Sequence, residues 1–143
     1  MILLDTDHFS VLTRPASAVA VRLMGSLATT GGDDEVATSV ITVEESFRGW
    51  AAEIQRRRDV KDQVSGYERL AQLVEFLANW QIVRFDQRAA DEFARLRRER
   101  IRIGSQDLKI ACIALSAGAL LLSANQRDFE QVPGLRVENW LAE

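Results

Sequence analysis

The sequence has 143 residues, of which 47% are hydrophobic and 27% are charged, and its formal net charge is −3. This length and composition suit one soluble globular domain, residues 1–143, with a single hydrophobic core. The acidic balance argues weakly against a nucleic-acid binder, and no apolar stretch approaches the roughly 20 residues of a membrane span. Because Cys112 is the only cysteine and no signal-peptide pattern is present, we expect a cytoplasmic protein without an internal disulfide or a membrane partner.

The chain opens with MILLDTDHFS, in which four apolar residues run directly into Asp5. The short apolar run predicts a buried strand, and a carboxylate at its end is costly to bury without a partner. Asp7 is expected to cap a helix that begins at His8. After the loop sequence TTGGDDE, the β-branched run VATSVIT predicts a second strand.

The middle of the chain has a helical pattern from Val43 to Trp80, with a break expected near VSGYE. Within it, an apolar stripe from Leu70 to Leu77 is interpreted mainly as core, with a dimer contact as the alternative. The run IVRF, residues 82–85, predicts a third strand. Asp86 is expected to cap the helix that follows, which extends to about Arg100.

The segment GSQDLKIACIALSAGALLLSA predicts a helix that is apolar nearly all round and therefore buried. Ser105 is expected to cap it, Gly118 to end it, and ALLLSA to form a fourth strand. GLRVENW, residues 134–140, predicts a short fifth strand. Strands that alternate with helices favour an α/β fold in three layers, with a mostly parallel five-stranded sheet flanked by helices.

Four acids follow strands or begin helices where the carboxyl ends of parallel strands would meet, which is where such sheets place their sites. They are Asp5, Glu45, Asp107 and Asp128. Each also has a structural explanation: Thr42 and Glu45 match a capping box, Asp107 suits the positive end of a helix, and Asp128 could begin a turn.

Taken together, the four acids predict a metal site, because carboxylates gathered at one sheet edge would repel one another and raise each other's pKa values. Mg²⁺ or Mn²⁺ would relieve that repulsion, since both prefer oxygen ligands. The chemistry that suits such a site is metal-assisted hydrolysis of a phosphodiester. His8, the only histidine, has no histidine partner for a zinc site, and Cys112 is interpreted as core.

The basic charge is almost all arginine, with 16 Arg against 2 Lys, and it is concentrated in residues 48–102. Because arginine suits phosphate contacts, this region is predicted to carry the RNA-binding residues. They are Arg56, Arg57, Arg98 and Arg102. The alternative is that these arginines lie on solvated helix faces and pair with nearby acids.

Four segments appear in order over nearly the full length: MILLDTD, SVITVEESFRG, IGSQDLKIACIAL and LLLSANQRDFEQVPGLRVENW. Together they resemble the PIN-domain ribonucleases, and within them the VapC-type toxins of toxin–antitoxin modules. The resemblance implies a compact α/β fold and a Mg²⁺- or Mn²⁺-dependent endoribonuclease that acts on RNA. It also implies a homodimer and a small cognate antitoxin protein that covers the site.

By this resemblance, Asp5, Glu45 and Asp107 match the family's first three acids, with Glu44 as the other register for the second. Thr6 and Ser123 match the hydroxyl residues that accompany them. Asp7 stands where many members have Asn, and could be a ligand or a supporting residue. Asn125 stands where some members have the fourth acid, and Asp128 is the nearest carboxylate to it.

Three alternatives stay open from the sequence. LLDTDHFS resembles the opening of haloacid-dehalogenase phosphatases, although no later G-D-x-x-x-D element is present. A catalytically silent, RNA-binding PIN module would need an incomplete set of acids. A housekeeping RNA-processing PIN nuclease would share the chemistry and differ in its biological role.

Overall fold

The computed structural model describes residues 1–142, which form five strands and seven α-helices. In chain order these are β1 Ile2–Leu4, α1 Thr6–Leu12, α2 Ala18–Thr29, β2 Val36–Ser39, α3 Val40–Arg56, α4 Val64–Leu77, β3 Gln81–Val83, α5 Gln87–Arg98, α6 Ser105–Ala117, β4 Leu120–Leu122, α7 Gln126–Phe129 and β5 Arg136–Glu138. A short 3₁₀-helix, Val60–Gln63, precedes α4.

The five strands form one sheet in the order β3-β2-β1-β4-β5, and every neighbouring pair is parallel. The central strand β1 pairs with β2 on one side, where Leu4 lies opposite Thr38, and with β4 on the other, where Leu4 lies opposite Leu122. This confirms the predicted α/β class and sheet. Because all strands run the same way, their carboxyl ends meet at one edge, and the residues that follow them are brought together there.

Two hydrophobic clusters cover the two faces of this sheet, so the fold has three layers. Ile2, Leu4 and Leu122 pack on one face with residues of α1, α2 and α4. Leu3 and Leu121 point to the other face and pack with residues of α5, α6 and α7. This alternation is the two-residue period of a β-strand, here apolar on both faces because helices cover both.

Helix α6 is buried as predicted, with all five residues from Ile110 to Ala114 at 1% exposure or less. Gly118 ends it at φ 62°, a left-handed conformation that glycine adopts without the steric cost of a Cβ. The Cys112 thiol lies in this core, where burial raises its pKa to about 11, as its interpretation as a core residue requires.

Two predicted helix starts were wrong, in each case because an earlier residue is the cap. Helix α1 begins at Thr6, and Asp5 rather than Asp7 is its N-cap. Helix α3 begins at Val40, and the Ser39 hydroxyl accepts a hydrogen bond from the Thr42 N–H. Thr42 therefore lies inside the helix, so its predicted capping box with Glu45 does not form.

Other boundaries moved less. Helix α6 begins at Ser105, with Gly104 rather than Ser105 as its N-cap. The break between α3 and α4 falls at residues 57–63, directly before VSGYE. Strand β3 spans Gln81–Val83, and the Asp86 cap of α5 is confirmed. The apolar stripe on α4 is only partly core, since Leu73 and Leu77 are buried while Val74 is 52% exposed.

Helices α2 and α7 were not predicted from the sequence. Among residues 1–142, no helix combines the length and the apolar character needed to cross a membrane.

Candidate active site

The carboxyl edge of the sheet brings the predicted acids together from four parts of the chain. Asp5 follows β1 directly, and Ser123 follows the neighbouring strand β4. Glu45 lies on α3, which begins where β2 ends, and Asp107 lies in the first turn of α6. The short helix α7 after β4 carries Asp128. The parallel sheet thus places residues more than 100 positions apart side by side.

Asp5 is the most buried acid of the site, at 6% exposure. Its Oδ1 accepts a hydrogen bond of 2.7 Å from the Thr6 N–H, and its Oδ2 accepts one of 2.7 Å from the Ser123 hydroxyl. Burial raises the pKa of Asp5 to about 6; the Ser123 hydrogen bond opposes that rise, and the negative charges of Asp7 and Asp107 add to it. At neutral pH this carboxylate is therefore ionised in an unfavourable environment.

Asp7 has a different environment, because protein groups satisfy its charge. Its Oδ1 accepts a 2.6 Å hydrogen bond from the His8 ring Nδ1, and its Oδ2 accepts one of 2.9 Å from the Ala124 N–H. Burial alone would raise the pKa of Asp7, but the hydrogen bonds from His8 and Ala124 outweigh it and hold that pKa below its usual value. Asp7 is thus held as an anion without any added cation.

The ring of His8 is fully buried and connects Asp7 to the end of the chain. The Trp140 N–H donates a 3.1 Å hydrogen bond to Nε2 of His8. Nε2 is therefore the unprotonated nitrogen, and Nδ1 carries the proton that bonds Asp7. This network fixes α1, and with it the position of Asp7, against the segment that follows β5.

Glu45 approaches the site from α3 through the Thr6 side chain. The Thr6 hydroxyl donates a 3.3 Å hydrogen bond to Oε1 of Glu45 and lies 3.2 Å from the Thr42 hydroxyl. Burial raises the pKa of Glu45, the Thr6 hydrogen bond opposes the rise, and the charge of Asp107 adds to it. The neighbouring Glu44 is exposed and points elsewhere, to Gln106 and Arg48, so the structure places Glu45 rather than Glu44 beside the other acids.

Asn125 connects the last two acids. Its Nδ2 donates hydrogen bonds of 3.1 Å to Oδ2 of Asp107 and 3.0 Å to Oδ2 of Asp128. Burial raises the pKa of Asp107; the Asn125 hydrogen bond opposes that rise, while the charges of Asp128 and Asp7 add to it. The sequence left open whether Asn125 or Asp128 completes the site, and in the structure both contribute to one hydrogen-bonded group.

The donor set suits a hard divalent cation, since it consists of carboxylate oxygens whose mutual repulsion a cation would relieve. Asp5, Glu45 and Asp107 all have raised pKa values, with burial as the largest cause. Within residues 1–142, no group of three or more His, Cys, Asp or Glu side chains is arranged to enclose a metal ion. Such a site can still suit Mg²⁺, because Mg²⁺ typically takes only one or two carboxylates and keeps several waters.

The predicted RNA-binding arginines divide into two groups. Arg56 and Arg57, at the carboxyl end of α3, both bond the Glu53 carboxylate, at 2.8 and 3.2 Å, so the two positive charges share one negative partner. Arg98 and Arg102 are exposed, at the end of α5 and beyond it. Of these four arginines, only the second pair has no carboxylate partner among residues 1–142.

Sequence reasoning missed the structural role of His8 and the contribution of Trp140. The two residues are 132 positions apart, and no local pattern links them. The one available signal was that a lone histidine four residues after the end of a buried strand, beside an acid, needs a hydrogen-bond partner.

The fold and this site define the class of the protein: an α/β sandwich with an acidic cluster at the carboxyl edge of a parallel sheet. The family model described as PIN domain matches residues 2–135, and the chain belongs to this family.

Known proteins resemble the chain in sequence and in fold. A tRNA(fMet)-specific endonuclease VapC from Salmonella typhimurium is 35% identical over 75 residues, which cover 50% of this chain and 57% of that protein. The chain thus spans little more than half the length of the curated relatives it matches. The crystal structure of FitAcB from Neisseria gonorrhoeae superimposes with a TM-score of 0.74 and 27% identity, covering 100% of both chains.

A third similar protein is a member of the VapBC family of toxin–antitoxin systems, VapBC-5, from Mycobacterium tuberculosis. Its structure matches with a TM-score of 0.58 and 25% identity, over 96% of this chain and 95% of that chain.

Proposed function

We propose that the protein is a metal-dependent endoribonuclease that hydrolyses RNA phosphodiester bonds, and that it is the toxin of a type II toxin–antitoxin module. The observation that carries the proposal is the set of acids with raised pKa values, Asp5, Glu45 and Asp107, at one sheet edge. Membership of the PIN family and similarity to an endonuclease VapC support it. Mg²⁺ or Mn²⁺ is the proposed cofactor.

In this proposal Asp5, Asp107 and Glu45 hold the cation directly or through water. When bound, the cation supplies a water of lowered pKa and stabilises negative charge on the phosphate oxygens. Thr6 and Ser123 hold the carboxylates of Glu45 and Asp5 in place by their hydroxyl hydrogen bonds. Asn125 and Asp128 orient Asp107, and in-line attack of water leaves a 5′-phosphate and a 3′-hydroxyl.

We also propose a cognate antitoxin protein, a homodimer and a cytoplasmic site of action. The antitoxin is supported by the similarity to a toxin–antitoxin protein of known structure and by the four sequence segments that resemble VapC-type toxins. An acidic cluster that lacks its cations would attract an arginine from such a partner by charge-assisted hydrogen bonds.

The test is cleavage of RNA by the purified protein, with initiator tRNA as the first substrate because a relative is named for it. Wild type should cleave in Mg²⁺ or Mn²⁺ and be inactive in EDTA. Asp5→Asn and Glu45→Gln should abolish most cleavage, while the matched neighbour variant Glu44→Gln should retain it. Full cleavage by Asp5→Asn would refute the proposed site.

Calorimetric titration with Mn²⁺ separates the nuclease from a silent RNA-binding PIN module. Wild type should bind Mn²⁺, and Asp107→Asn should weaken that affinity at least tenfold. Replacing even a residue that only supports a metal ligand typically costs about 10- to 100-fold in metal affinity. RNA binding without Mn²⁺ affinity or cleavage would favour the silent module instead.

A further inference from the structure

A groove runs from the candidate active site along one face of the molecule. Its cavity volume is about 790 Å³, within the roughly 300–1,000 Å³ typical of ligand pockets. Thr6 and Glu45 of the site line one end. Residues of α1, α2, α3, α4 and the segment between α1 and α2 line the rest. A ligand in this groove would therefore be continuous with the reacting group.

The groove carries free positive charge. Arg14, from the segment between α1 and α2, and Arg69, from α4, both line it, and both are exposed. Neither guanidinium has a hydrogen bond or ion pair within the described chain, whereas Glu53, the acid on the same wall, already pairs with Arg56 and Arg57. Away from Glu45, the unmatched charge of the groove is thus cationic.

The groove also offers an aromatic surface. Trp50 on α3 is partly exposed and lines it, and a second, adjoining cavity is lined by Trp50, Arg14 and Arg69 as well. An indole next to unpaired arginines combines the two features that bind single-stranded nucleic acid, base stacking and phosphate contact. Arginine also suits phosphate better than lysine does, because its guanidinium donors form a planar fork that can bond two phosphate oxygens.

Gly49 lines the groove beside Trp50. It lies inside helix α3, where glycine is unfavourable, and an added Cβ would meet no atom within 4 Å. The space above this residue is therefore not needed for packing within the domain.

We infer that this groove binds the single-stranded RNA segment next to the scissile bond, with Arg14 and Arg69 on its phosphates and a base stacked on Trp50. The inference rests on the proposed function, since it gives a path to the substrate of that site. It differs from the sequence-based expectation, which assigned RNA contacts to Arg56, Arg57, Arg98 and Arg102. A protein partner in the same groove is the competing occupant.

The test measures binding of a short fluorescein-labelled single-stranded RNA by fluorescence anisotropy in EDTA, over a series of KCl concentrations. Arg14→Gln and Arg69→Gln should each lower the affinity about tenfold, as expected for loss of a charge-assisted hydrogen bond. Each should also reduce the slope of log K against log[salt] by about 0.7, the value for one phosphate of a single strand. The control is Arg88→Gln, an exposed arginine of α5 outside the groove, which should bind as wild type.

Two further variants test the groove without removing charge. Gly49→Phe should fill the space and weaken RNA binding about tenfold or more, whereas Gly49→Ala should bind as wild type. Trp50→Leu, which keeps an apolar side chain in the core contact, should lower affinity about fivefold or more by loss of stacking. Circular dichroism and thermal unfolding establish that each variant is folded.

Equal RNA affinity of wild type, Arg14→Gln, Arg69→Gln and Gly49→Phe would overturn the inference and leave the groove to a protein partner. The outcome is independent of catalysis, because binding is measured without metal. If the wild type cleaves RNA but the groove variants bind RNA as well as wild type, this inference is refuted and the nuclease proposal stands. Groove-dependent binding without cleavage would support it while removing the nuclease proposal.

Discussion

Asp5→Asn should stabilise the folded protein at neutral pH, although it replaces a residue of the candidate active site. The pKa of Asp5 is about 6 in the folded chain against 3.8 for an ordinary aspartate. At 1.36 kcal/mol for each pKa unit, this difference corresponds to about 3 kcal/mol. Asp5 is only 6% exposed, so solvent screening does little to reduce this value.

The sign follows from proton linkage. A carboxyl with a raised pKa in the folded state binds its proton more tightly when folded, so its favourable contribution is complete below pH 3.8. That contribution is lost as the pH rises through about 6, and above it the ionised Asp5 opposes folding. The change to asparagine keeps a hydrogen bond at both positions. The Oδ1 of the asparagine can accept from the Thr6 N–H, and its Nδ2 can donate to the Ser123 hydroxyl. That hydroxyl can still accept from the Asn125 N–H.

The measurement is thermal and urea unfolding of wild type and Asp5→Asn from pH 4 to pH 8, without divalent cations. The variant should be more stable by up to about 3 kcal/mol at pH 8, and by less than about 1 kcal/mol at pH 4. With an unfolding entropy of about 2.1 cal/mol/K for each of 143 residues, the gain at pH 8 corresponds to about 10 °C in Tm.

Asp33→Asn is the matched control, because it removes one negative charge from an exposed loop residue. It should change stability by less than about 0.5 kcal/mol, as surface substitutions usually do. Adding Mg²⁺ should raise the stability of wild type and raise that of Asp5→Asn less, since the variant lacks one of the three carboxylates proposed to hold the cation. A variant that is no more stable than wild type at pH 8, or whose gain is the same at pH 4, would refute the reasoning.

Three further changes test other contacts. Ser123→Ala removes the hydroxyl that donates to the buried Asp5 carboxylate and opposes the rise in its pKa. The free energy of unfolding at pH 8 should therefore fall by about 1.5–3 kcal/mol. Asn125→Leu removes both amide hydrogen bonds to the neighbouring acids and should slow RNA cleavage about 10- to 100-fold with the fold intact by circular dichroism. Gly66→Ala puts a Cβ 2.6 Å from Ile54 Cγ1 and should cost about 1–3 kcal/mol in urea unfolding, whereas Gly25→Ala, which meets no atom within 4 Å, should not destabilise.

The position of the acids could be predicted from the sequence because it depends on one physical rule. Short apolar runs that alternate with helices form parallel sheets, and residues after such runs share an edge. Asp5 and Ser123 follow the paired strands β1 and β4 directly, so an error of one or two residues in either strand would not have separated them.

Helix starts were less predictable because adjacent residues of equal capping ability compete. Asp5 and Asp7 are both good N-caps, and so are Ser39 and Thr42. Tertiary contacts decide between them: the Asp5 N–H already bonds the Leu122 carbonyl of the next strand, which fixes the end of β1 there. The β-branched residues after Ser39 are helical despite their strand propensity because Ile41 and Thr42 are buried by the helix packing.

Asp7 shows why the number of acids at a site does not give the number that need a cation. Its two oxygens accept from the His8 ring and from the Ala124 N–H, and its pKa lies below the usual value, opposite to the shift at Asp5. Asp7→Asn should therefore destabilise the protein by about 1–3 kcal/mol at pH 8, because an asparagine that still accepts from His8 would turn its own N–H₂ toward the Ala124 N–H. Urea unfolding of Asp5→Asn and Asp7→Asn side by side should show changes of opposite sign. Changes of the same sign would mean that protein hydrogen bonds do not distinguish the two acids, and Asp7 would then have to be counted with the residues that hold the cation.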